Sequence, residues 1–211
     1  MAVELIYFAN PMCSWCWGFA PVITKISDTF ADKINLTLAL GSLREDEDPM
    51  TDEQKAYVGG HWRHVTERTG QPFDFAFFDR EAFVYDDRPP SLAIVAARTL
   101  DQKRVLPFFH ALQRAFYEHN RDITDRDELS TIAVECGLPE AEFRKRFDEP
   151  DHGDAIVEEF RSTAAMGVRG YPTLIGLRDG RAEALSIGYA PYEQVADRLA
   201  GLIETPAVAA H

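Results

Sequence analysis

Hydrophobic and polar positions follow two different periods within residues 1–43. A mostly apolar run over 3–8 predicts a buried strand, and alternation over 34–40 predicts a second one. Between them, apolar residues recur every three or four positions from 13 to 30, as on one face of a helix that Pro21 is expected to kink. A strand, a helix and a strand in this order form a βαβ unit with parallel strands.

The pattern becomes helical in the middle of the chain. A charged loop over 44–52 leads into a predicted helix that ends near residue 69 and is weakened by the adjacent Gly59 and Gly60. The phenylalanine-rich stretch 73–83 is predicted to be an ordered loop. Further helices are predicted over 91–100, 105–119, 126–136 and 139–147. Residues 44–150 are therefore expected to form an all-helical insertion.

The last part of the chain predicts a helix, a β-hairpin and a final helix. The hairpin follows from the Asp179-Gly180 pair between two apolar runs. These elements are predicted over 153–166, 173–177, 182–187 and 191–203. Residues 1–43 and 151–204 are thus expected to form one α/β unit that the insertion interrupts, and residues 205–211 a flexible tail.

The composition is that of an ordinary globular protein. With 211 residues, of which 45% are hydrophobic and 27% charged, the chain can bury about 70% of its unfolded surface without a disulfide or metal staple. A net charge of -13 argues against nucleic acid and anionic membranes as partners, since both require a basic surface. No leader-like segment precedes the first strand and no apolar run approaches about 18 residues, so we expect a cytoplasmic protein with no membrane partner.

The candidate chemistry lies in the motif Cys13-Ser14-Trp15-Cys16, where the first predicted strand runs into the first predicted helix. A cysteine pair at this spacing and in this context is a strong redox signal. A thiolate is the attacking species in disulfide exchange, and the N–H groups and dipole at a helix N-terminus favour it. We therefore predict Cys13 as the nucleophile and Cys16, on the same helical face, as the resolving thiol.

A second motif, Gly170-Tyr171-Pro172-Thr173, precedes the predicted hairpin. Together the two motifs resemble the DsbA-like branch of the thioredoxin superfamily. The resemblance implies a thioredoxin fold interrupted by an all-helical domain, and a thiol–disulfide oxidoreductase or protein disulfide isomerase. It also implies a cis-proline at Pro172 beside the cysteines, with Ser14, Trp15, Tyr171 and Pro172 contacting substrate. Protein or peptide thiols and disulfides are then the expected partners, with no cofactor beyond the cysteine pair and glutathione as a candidate co-substrate.

Three features of the sequence depart from better-known members of that branch. Ser14-Trp15 lacks the histidine of the strongest oxidants, Tyr7 stands where relatives often bury an acidic residue, and Tyr171 is bulky for its place before the proline. The direction of electron flow therefore stays open. Trp15, Trp17 and Tyr171 are candidates for an aromatic rim, although Trp17 fits a core position equally well.

Other interpretations of these residues compete with the redox pair. A fold like that of kappa-class glutathione transferases and 2-hydroxychromene-2-carboxylate isomerases suggests glutathione chemistry on a small aromatic substrate, but Cys16 counts against it. A peptide-binding module and a zinc site with His61 and His64 rank lower, and those histidines are expected on a helix surface. Cys136 is expected to be a buried core thiol, and the phenylalanine cluster 73–83 is expected to be core rather than a pocket lining.

Overall fold

A computed structural model describes residues 2–204, which form six strands and eight α-helices in the order β1, α1, β2, β3, α2, β4, α3 to α7, β5, β6 and α8. The strands are β1 Val3–Ala9, β2 Ile34–Leu40, β3 Glu45–Pro49, β4 Val84–Asp86, β5 Thr173–Arg178 and β6 Arg181–Ile187. The helices are α1 Ser14–Thr29, α2 Asp52–Thr69, α3 Arg88–Leu100, α4 Val105–Tyr117, α5 Arg126–Glu135, α6 Glu140–Phe147, α7 Pro150–Ala165 and α8 Tyr192–Glu204.

A four-stranded mixed sheet with the order β2-β1-β5-β6 carries the two sequence motifs. The strands β1 and β2 pair in parallel across α1, which confirms the predicted βαβ unit. Strand β5 pairs antiparallel with β1 and with β6. Asp179 and Gly180 both adopt positive φ angles, 50° and 75°, as the tight turn between β5 and β6 requires. Since β1 and β5 are neighbours, α1 after β1 and the loop before β5 approach each other.

The segment between β2 and α7 is not entirely helical, so the all-helical prediction is wrong in one respect. Residues 45–49, expected in a charged loop, form β3 and pair antiparallel with β4. The stretch 73–83, expected to be an ordered loop, contains a short 3-10 helix at Phe75–Asp79. Strands β3 and β4 show no alternation of apolar and polar residues from which the sequence could predict them. They are held by backbone pairing between residues about 40 positions apart.

Helix α2 is continuous although it contains Gly59 and Gly60. Thr51 and Gln54 form a reciprocal capping box at its start, and Gly70 ends it in a left-handed conformation. A Cβ at residue 59 would lie 3.4 Å from the Phe78 ring, an ordinary van der Waals contact, so that ring packs beside this turn of the helix without requiring a glycine. Helix α1 likewise continues from Ser14 to Thr29 across Pro21.

One hydrophobic cluster joins the sheet to the helices of the insertion. Phe77 and Phe83 are buried against Phe116, and Phe77 also contacts Trp62, which confirms the expected core role for these two members of the phenylalanine cluster. Phe75 is 37% exposed and departs from that role. The domain boundaries at 43/44 and 150/151 stay a prediction, and the predicted flexible tail 205–211 lies outside the described residues. Within residues 2–204 no helix has the length and apolar character needed to cross a membrane.

Candidate active site around Cys13 and Cys16

Cys13 is the N-cap residue of α1, so its sulfur faces the first turn of that helix. The Cys16 N–H donates a hydrogen bond to the Cys13 sulfur over 3.2 Å. The Cys13 thiol donates one to the Tyr171 carbonyl oxygen over 3.6 Å. Cys13 is 5% exposed, and it lines an open groove. A helix N-terminus with a reachable sulfur is the arrangement that favours an attacking thiolate.

Cys16 is fully buried behind Cys13. Burial raises the pKa of the Cys16 thiol well above its ordinary value, and the adjacent Cys13 sulfur raises it further. The Asn10 backbone and the Tyr7 side chain act in the opposite direction on the pKa of Cys16. The structure therefore places the two predicted redox residues together and leaves only Cys13 open to the groove.

The loop before β5 brings its backbone to Cys13. The Tyr171–Pro172 peptide bond is cis, as the family resemblance implied. The Gly188 N–H donates a hydrogen bond to the Pro172 carbonyl over 2.7 Å, which ties this loop to the end of β6. Burial and the nearby Cys16 sulfur raise the pKa of the Tyr171 hydroxyl to about 12, so Tyr171 is a neutral phenol at physiological pH.

A fully buried aspartate, Asp87, holds the loop that leads into Cys13. One carboxylate oxygen of Asp87 accepts hydrogen bonds from the Asn10 side chain and the Leu43 N–H, both over 2.6 Å, and from the Arg44 N–H over 2.8 Å. The other end of the Asn10 amide accepts the Met12 N–H over 2.8 Å, and the Asn10 backbone carbonyl accepts the Cys13 N–H over 3.1 Å. Asp87 thus connects the start of α3 to the turn that positions Cys13.

Tyrosine side chains from four elements or loops surround the cysteine pair. They are Tyr7, Tyr85, Tyr117 and Tyr171. Burial is the main cause that raises the pKa of each, and negative charge on Cys13 adds to the effect. The Tyr85 hydroxyl donates to the Met12 carbonyl over 2.9 Å. These four phenols are therefore neutral at physiological pH and add no negative charge near the cysteine pair.

The groove beside Cys13 has a volume of about 580 Å³ and lies between the cysteine loop and α2. Gln54, Tyr57 and His61 of α2 line this groove together with Tyr171. Two apolar side chains that line the groove stand out into solvent, Tyr57 with 67% and Leu43 with 46% exposure. Its size and mixed lining suit a small thiol or a short extended peptide segment.

The predicted substrate-binding residues take different places around this groove. Ser14, Trp15 and Tyr171 line it, whereas Pro172 is buried. Trp17 belongs to the core and not to an aromatic rim, because it is 4% exposed and its indole N–H donates to a backbone carbonyl over 2.9 Å.

Of the histidines and the third cysteine, only the cysteine differs from expectation. His61 is partly exposed on α2 and lines the groove, and His64 is exposed, so both lie on the helix surface as predicted. Within residues 2–204 no group of three or more His, Cys, Asp or Glu side chains is arranged to hold a metal ion. Cys136 is half-buried at the end of α5 and not fully in the core, and burial raises its pKa.

Several residues of the site escaped the sequence analysis. Asn10 precedes Pro11, a pair that favours turns, and this signal could have marked it. Asp87 precedes a helix start and would be taken for an ordinary cap, but it makes no side-chain cap hydrogen bond to its own helix. Its partner Asn10 lies 77 residues away, and no local pattern reports such a contact.

Gly41, at the end of β2, is expected to be required for the position of Tyr171. A Cβ at residue 41 would lie 1.8 Å from the Tyr171 hydroxyl oxygen. Gly41→Ala is therefore expected to lower the free energy of unfolding by about 1–3 kcal/mol, as measured by urea denaturation.

Two controls separate this clash from a general effect of replacing glycine. Gly60→Ala, in α2 with no atom within 4 Å of the new Cβ, is expected to raise stability by up to about 1 kcal/mol. In a Tyr171→Ala background, Gly41→Ala is expected to cost less than about 0.5 kcal/mol. An equal cost with and without the Tyr171 side chain would contradict the steric explanation.

A family model described as Thioredoxin matches residues 7–195 of the chain. Among solved structures, a candidate protein disulfide isomerase from Nitrosomonas europaea is 32% identical, with a TM-score of 0.89 over 97% of this chain and 98% of that chain. The cytosolic disulfide reductase DsbM from Pseudomonas aeruginosa is 28% identical, with a TM-score of 0.77 over 94% of this chain and 98% of that chain. Another DsbM structure contains glutathione.

The curated relatives of this chain are described as adapter proteins and not as disulfide isomerases or reductases. The ClpXP adapter proteins SpxH from Halalkalibacterium halodurans and Bacillus subtilis are each 24% identical, over 90% and 94% of this chain. The matched regions are 64% and 68% of those relatives, so the chain spans about two thirds of their length.

Proposed function

The chain belongs to the thioredoxin family, and from this premise we propose that it is a cytoplasmic disulfide reductase that uses Cys13 as nucleophile and Cys16 as resolving thiol. The observation that carries the proposal is the position of the Cys13 sulfur, at the N-terminus of α1 and 3.6 Å from the Tyr171 carbonyl, on the wall of the groove. The similarity to a cytosolic disulfide reductase supports both the direction of electron flow and the compartment.

In the first step the Cys13 thiolate attacks one sulfur of a substrate disulfide. A bond forms between that sulfur and Cys13, the substrate S–S bond breaks, and the leaving sulfur takes the electron pair and a proton from solvent. The Cys16 N–H, 3.2 Å from the Cys13 sulfur, stabilises the attacking thiolate. The substrate chain lies in the groove, which is lined by Tyr171 and by residues of α2.

In the second step Cys16 attacks Cys13. The new Cys13–Cys16 disulfide forms, the bond from Cys13 to the substrate sulfur breaks, and the second substrate thiol leaves with its electron pair. The substrate gains two electrons and the protein pair loses them. Two molecules of glutathione are the proposed reductant that restores the pair, with one glutathione disulfide as product. The groove volume of about 580 Å³ and the glutathione bound in a DsbM structure support this co-substrate.

A protein-binding role is a second candidate, since SpxH relatives are described as adapters. The exposed Tyr57 and Leu43 side chains beside the groove offer an apolar contact for a protein chain. A Cys13→Ser/Cys16→Ser double variant that still binds a protein disulfide substrate would separate such a role from catalysis.

The glutathione-transferase interpretation makes a different demand on the two cysteines. Transfer to a small aromatic substrate needs one activated residue, whereas disulfide reduction needs both. Cys16→Ser is therefore expected to abolish multiple turnover of disulfide reduction, and retained glutathione conjugation in that variant would favour the transferase.

A redox titration tests the proposed function directly. The protein is equilibrated in buffers with graded ratios of glutathione to its disulfide, free thiols are alkylated, and the modified cysteines are counted by mass spectrometry. Cys13 and Cys16 are expected to oxidise together with a reduction potential near about -270 mV, the range of a reductase. Cys136 is expected to be a free thiol, and therefore to be alkylated, at every ratio of glutathione to its disulfide, and it serves as the internal control.

Two outcomes of the titration would contradict the proposal. A potential near about -120 mV would indicate a disulfide oxidase. Independent oxidation of Cys13 and Cys16, with no intramolecular disulfide, would remove the redox pair from the mechanism.

A further inference from the structure

One arginine lines the groove beside Cys13. It is Arg44, in the loop between β2 and β3, and its side chain is 20% exposed. Among the described residues that line this groove there is no other arginine and no lysine, and the acidic member of the lining is Glu53. The whole chain carries a net charge of -13, which repels an anionic substrate. Arg44 is therefore the permanently charged group of the groove that attracts a carboxylate.

Three contacts fix the position of Arg44 relative to the cysteine loop. Its backbone N–H donates a hydrogen bond to the buried Asp87 carboxylate over 2.8 Å. The central carbon of its guanidinium lies 5.1 Å from the centre of the Tyr85 ring. The Tyr85 hydroxyl in turn donates to the carbonyl of Met12, the residue before Cys13, over 2.9 Å. The guanidinium thus rests on a ring that is itself bonded to the loop carrying the nucleophile.

The Arg44 guanidinium keeps donors free for a ligand. It has five N–H donors, and its Nη2 atom pairs with the Asp46 carboxylate. Within residues 2–204 its Nε and Nη1 atoms have no protein partner of hydrogen-bond geometry. A guanidinium can bind a carboxylate through two parallel N–H···O bonds. Since a partly exposed ion pair such as Arg44–Asp46 contributes little to stability, a second carboxylate can share the guanidinium with Asp46 or replace it.

We propose that Arg44 is a specificity-determining residue that binds a carboxylate of the molecule undergoing exchange at Cys13, so that the groove selects acidic thiols and disulfides. This inference rests on the proposed function and names its substrate class. Two kinds of molecule can supply the carboxylate, an acidic peptide disulfide as substrate or glutathione as reductant. Arg44 takes up no proton and no electron, and Cys13 and Cys16 perform the exchange as described above.

Two coloured aromatic disulfides test this selectivity. Dithiobis(nitrobenzoate) carries a carboxylate on each ring, whereas a dipyridyl disulfide is uncharged at neutral pH. Each is mixed with reduced protein in a Cys136→Ser background, and the first coloured thiol released gives the rate of attack by Cys13. Arg44→Gln is expected to lower the rate with the carboxylated disulfide about tenfold, the effect of losing a charge-assisted hydrogen bond at a partly exposed site. The rate with the uncharged disulfide is expected to change by less than about twofold.

A second measurement identifies the source of the carboxylate. Protein that contains the Cys13–Cys16 disulfide is reduced either by glutathione or by mercaptoethanol, which is uncharged. A loss of rate in Arg44→Gln with glutathione and not with mercaptoethanol would support the inference and assign the carboxylate to the reductant. A selective loss confined to the carboxylated disulfide would support it and assign the carboxylate to the substrate.

Two control variants separate recognition from structural and general charge effects. Asp46→Asn removes the competing carboxylate and is expected to raise the rate with the carboxylated disulfide about two- to threefold. A purely structural ion pair predicts instead that Asp46→Asn and Arg44→Gln lower this rate alike. Arg63→Gln changes the net charge by the same amount as Arg44→Gln, but Arg63 is exposed on α2 and does not line the groove. Arg63→Gln is expected to leave both rates within about twofold of the parent.

The outcomes distinguish the inference from the function on which it rests. Equal slowing of charged and uncharged reagents in Arg44→Gln, or no slowing with any of them, would overturn the role of Arg44. An equal loss of selectivity in Arg63→Gln would also overturn it, since net charge would then be the cause. If Arg44→Gln does not fold, Arg44→Lys keeps the charge without the planar fork and is expected to lose about threefold in selectivity. Absence of release from the parent protein with the uncharged disulfide would instead remove the proposed function.

Discussion

Cys13→Ser is expected to lower the rate of disulfide reduction by at least about a thousandfold. A serine hydroxyl at the N-terminus of α1 stays protonated at neutral pH, and oxygen does not replace sulfur in disulfide exchange. The assay is the reduction of a peptide disulfide with glutathione as reductant, and its rate is measured as the rate at which glutathione is consumed. Full activity of Cys13→Ser would contradict the assignment of the nucleophile.

Two further variants make this result specific to the pair. Cys136→Ser is expected to retain activity, because Cys136 lies half-buried at the end of α5 and does not line the groove. Cys16→Ser is expected to accumulate a mixed disulfide between Cys13 and substrate, which mass spectrometry detects as a covalent adduct. An adduct on Cys16 in the parent protein would reverse the two roles, although the burial of Cys16 opposes that order.

Asp87→Ala is expected to lower the free energy of unfolding by about 2–4 kcal/mol. The carboxylate accepts hydrogen bonds from the Asn10 side chain and from the N–H groups of Leu43 and Arg44. Alanine leaves donors inside the protein without this acceptor, and the turn before Cys13 loses its connection to the start of α3. Urea denaturation measures the stability, and the disulfide reduction rate is expected to fall as well.

Two further variants test whether this loss of stability comes from the buried contacts of Asp87. Asp87→Asn keeps one acceptor oxygen and is expected to lose less stability than Asp87→Ala. Asp28→Ala, on the exposed side of α1, is expected to change stability by no more than about 0.5 kcal/mol. A loss for Asp87→Ala as small as that for Asp28→Ala would show that the buried contact contributes little.

The proposed redox pair and the groove beside it draw on different parts of the chain. Cys13 offers only a small exposed area to the groove, and Tyr57 and His61 of α2 also line it. Helix α2 belongs to the segment inserted into the thioredoxin fold. Under the proposed function, the thioredoxin fold would supply the sulfur chemistry, whereas α2, from the segment between β2 and β5, would supply part of the groove surface that a substrate contacts.

Local sequence patterns determined the parts of this protein that depend on neighbouring residues. The periods of apolar residues predicted the order of β1, α1 and β2, and the Asp179-Gly180 pair predicted the β5–β6 hairpin. The spacing of Cys13 and Cys16 at a helix start indicated the redox pair, and the family resemblance carried by the motif at Tyr171–Pro172 implied the cis bond. In each case the deciding geometry lies within a few residues of chain.

Only the tertiary structure decided how distant segments complete the site. The contact of Cys13 with Tyr171 joins residues 158 positions apart, and that of Asn10 with Asp87 joins residues 77 positions apart. The β3–β4 ladder, the burial of Trp17 and the place of His61 in the groove likewise depend on packing between elements. A period of apolar residues shows which face of an element is buried, but it does not show which other element covers that face.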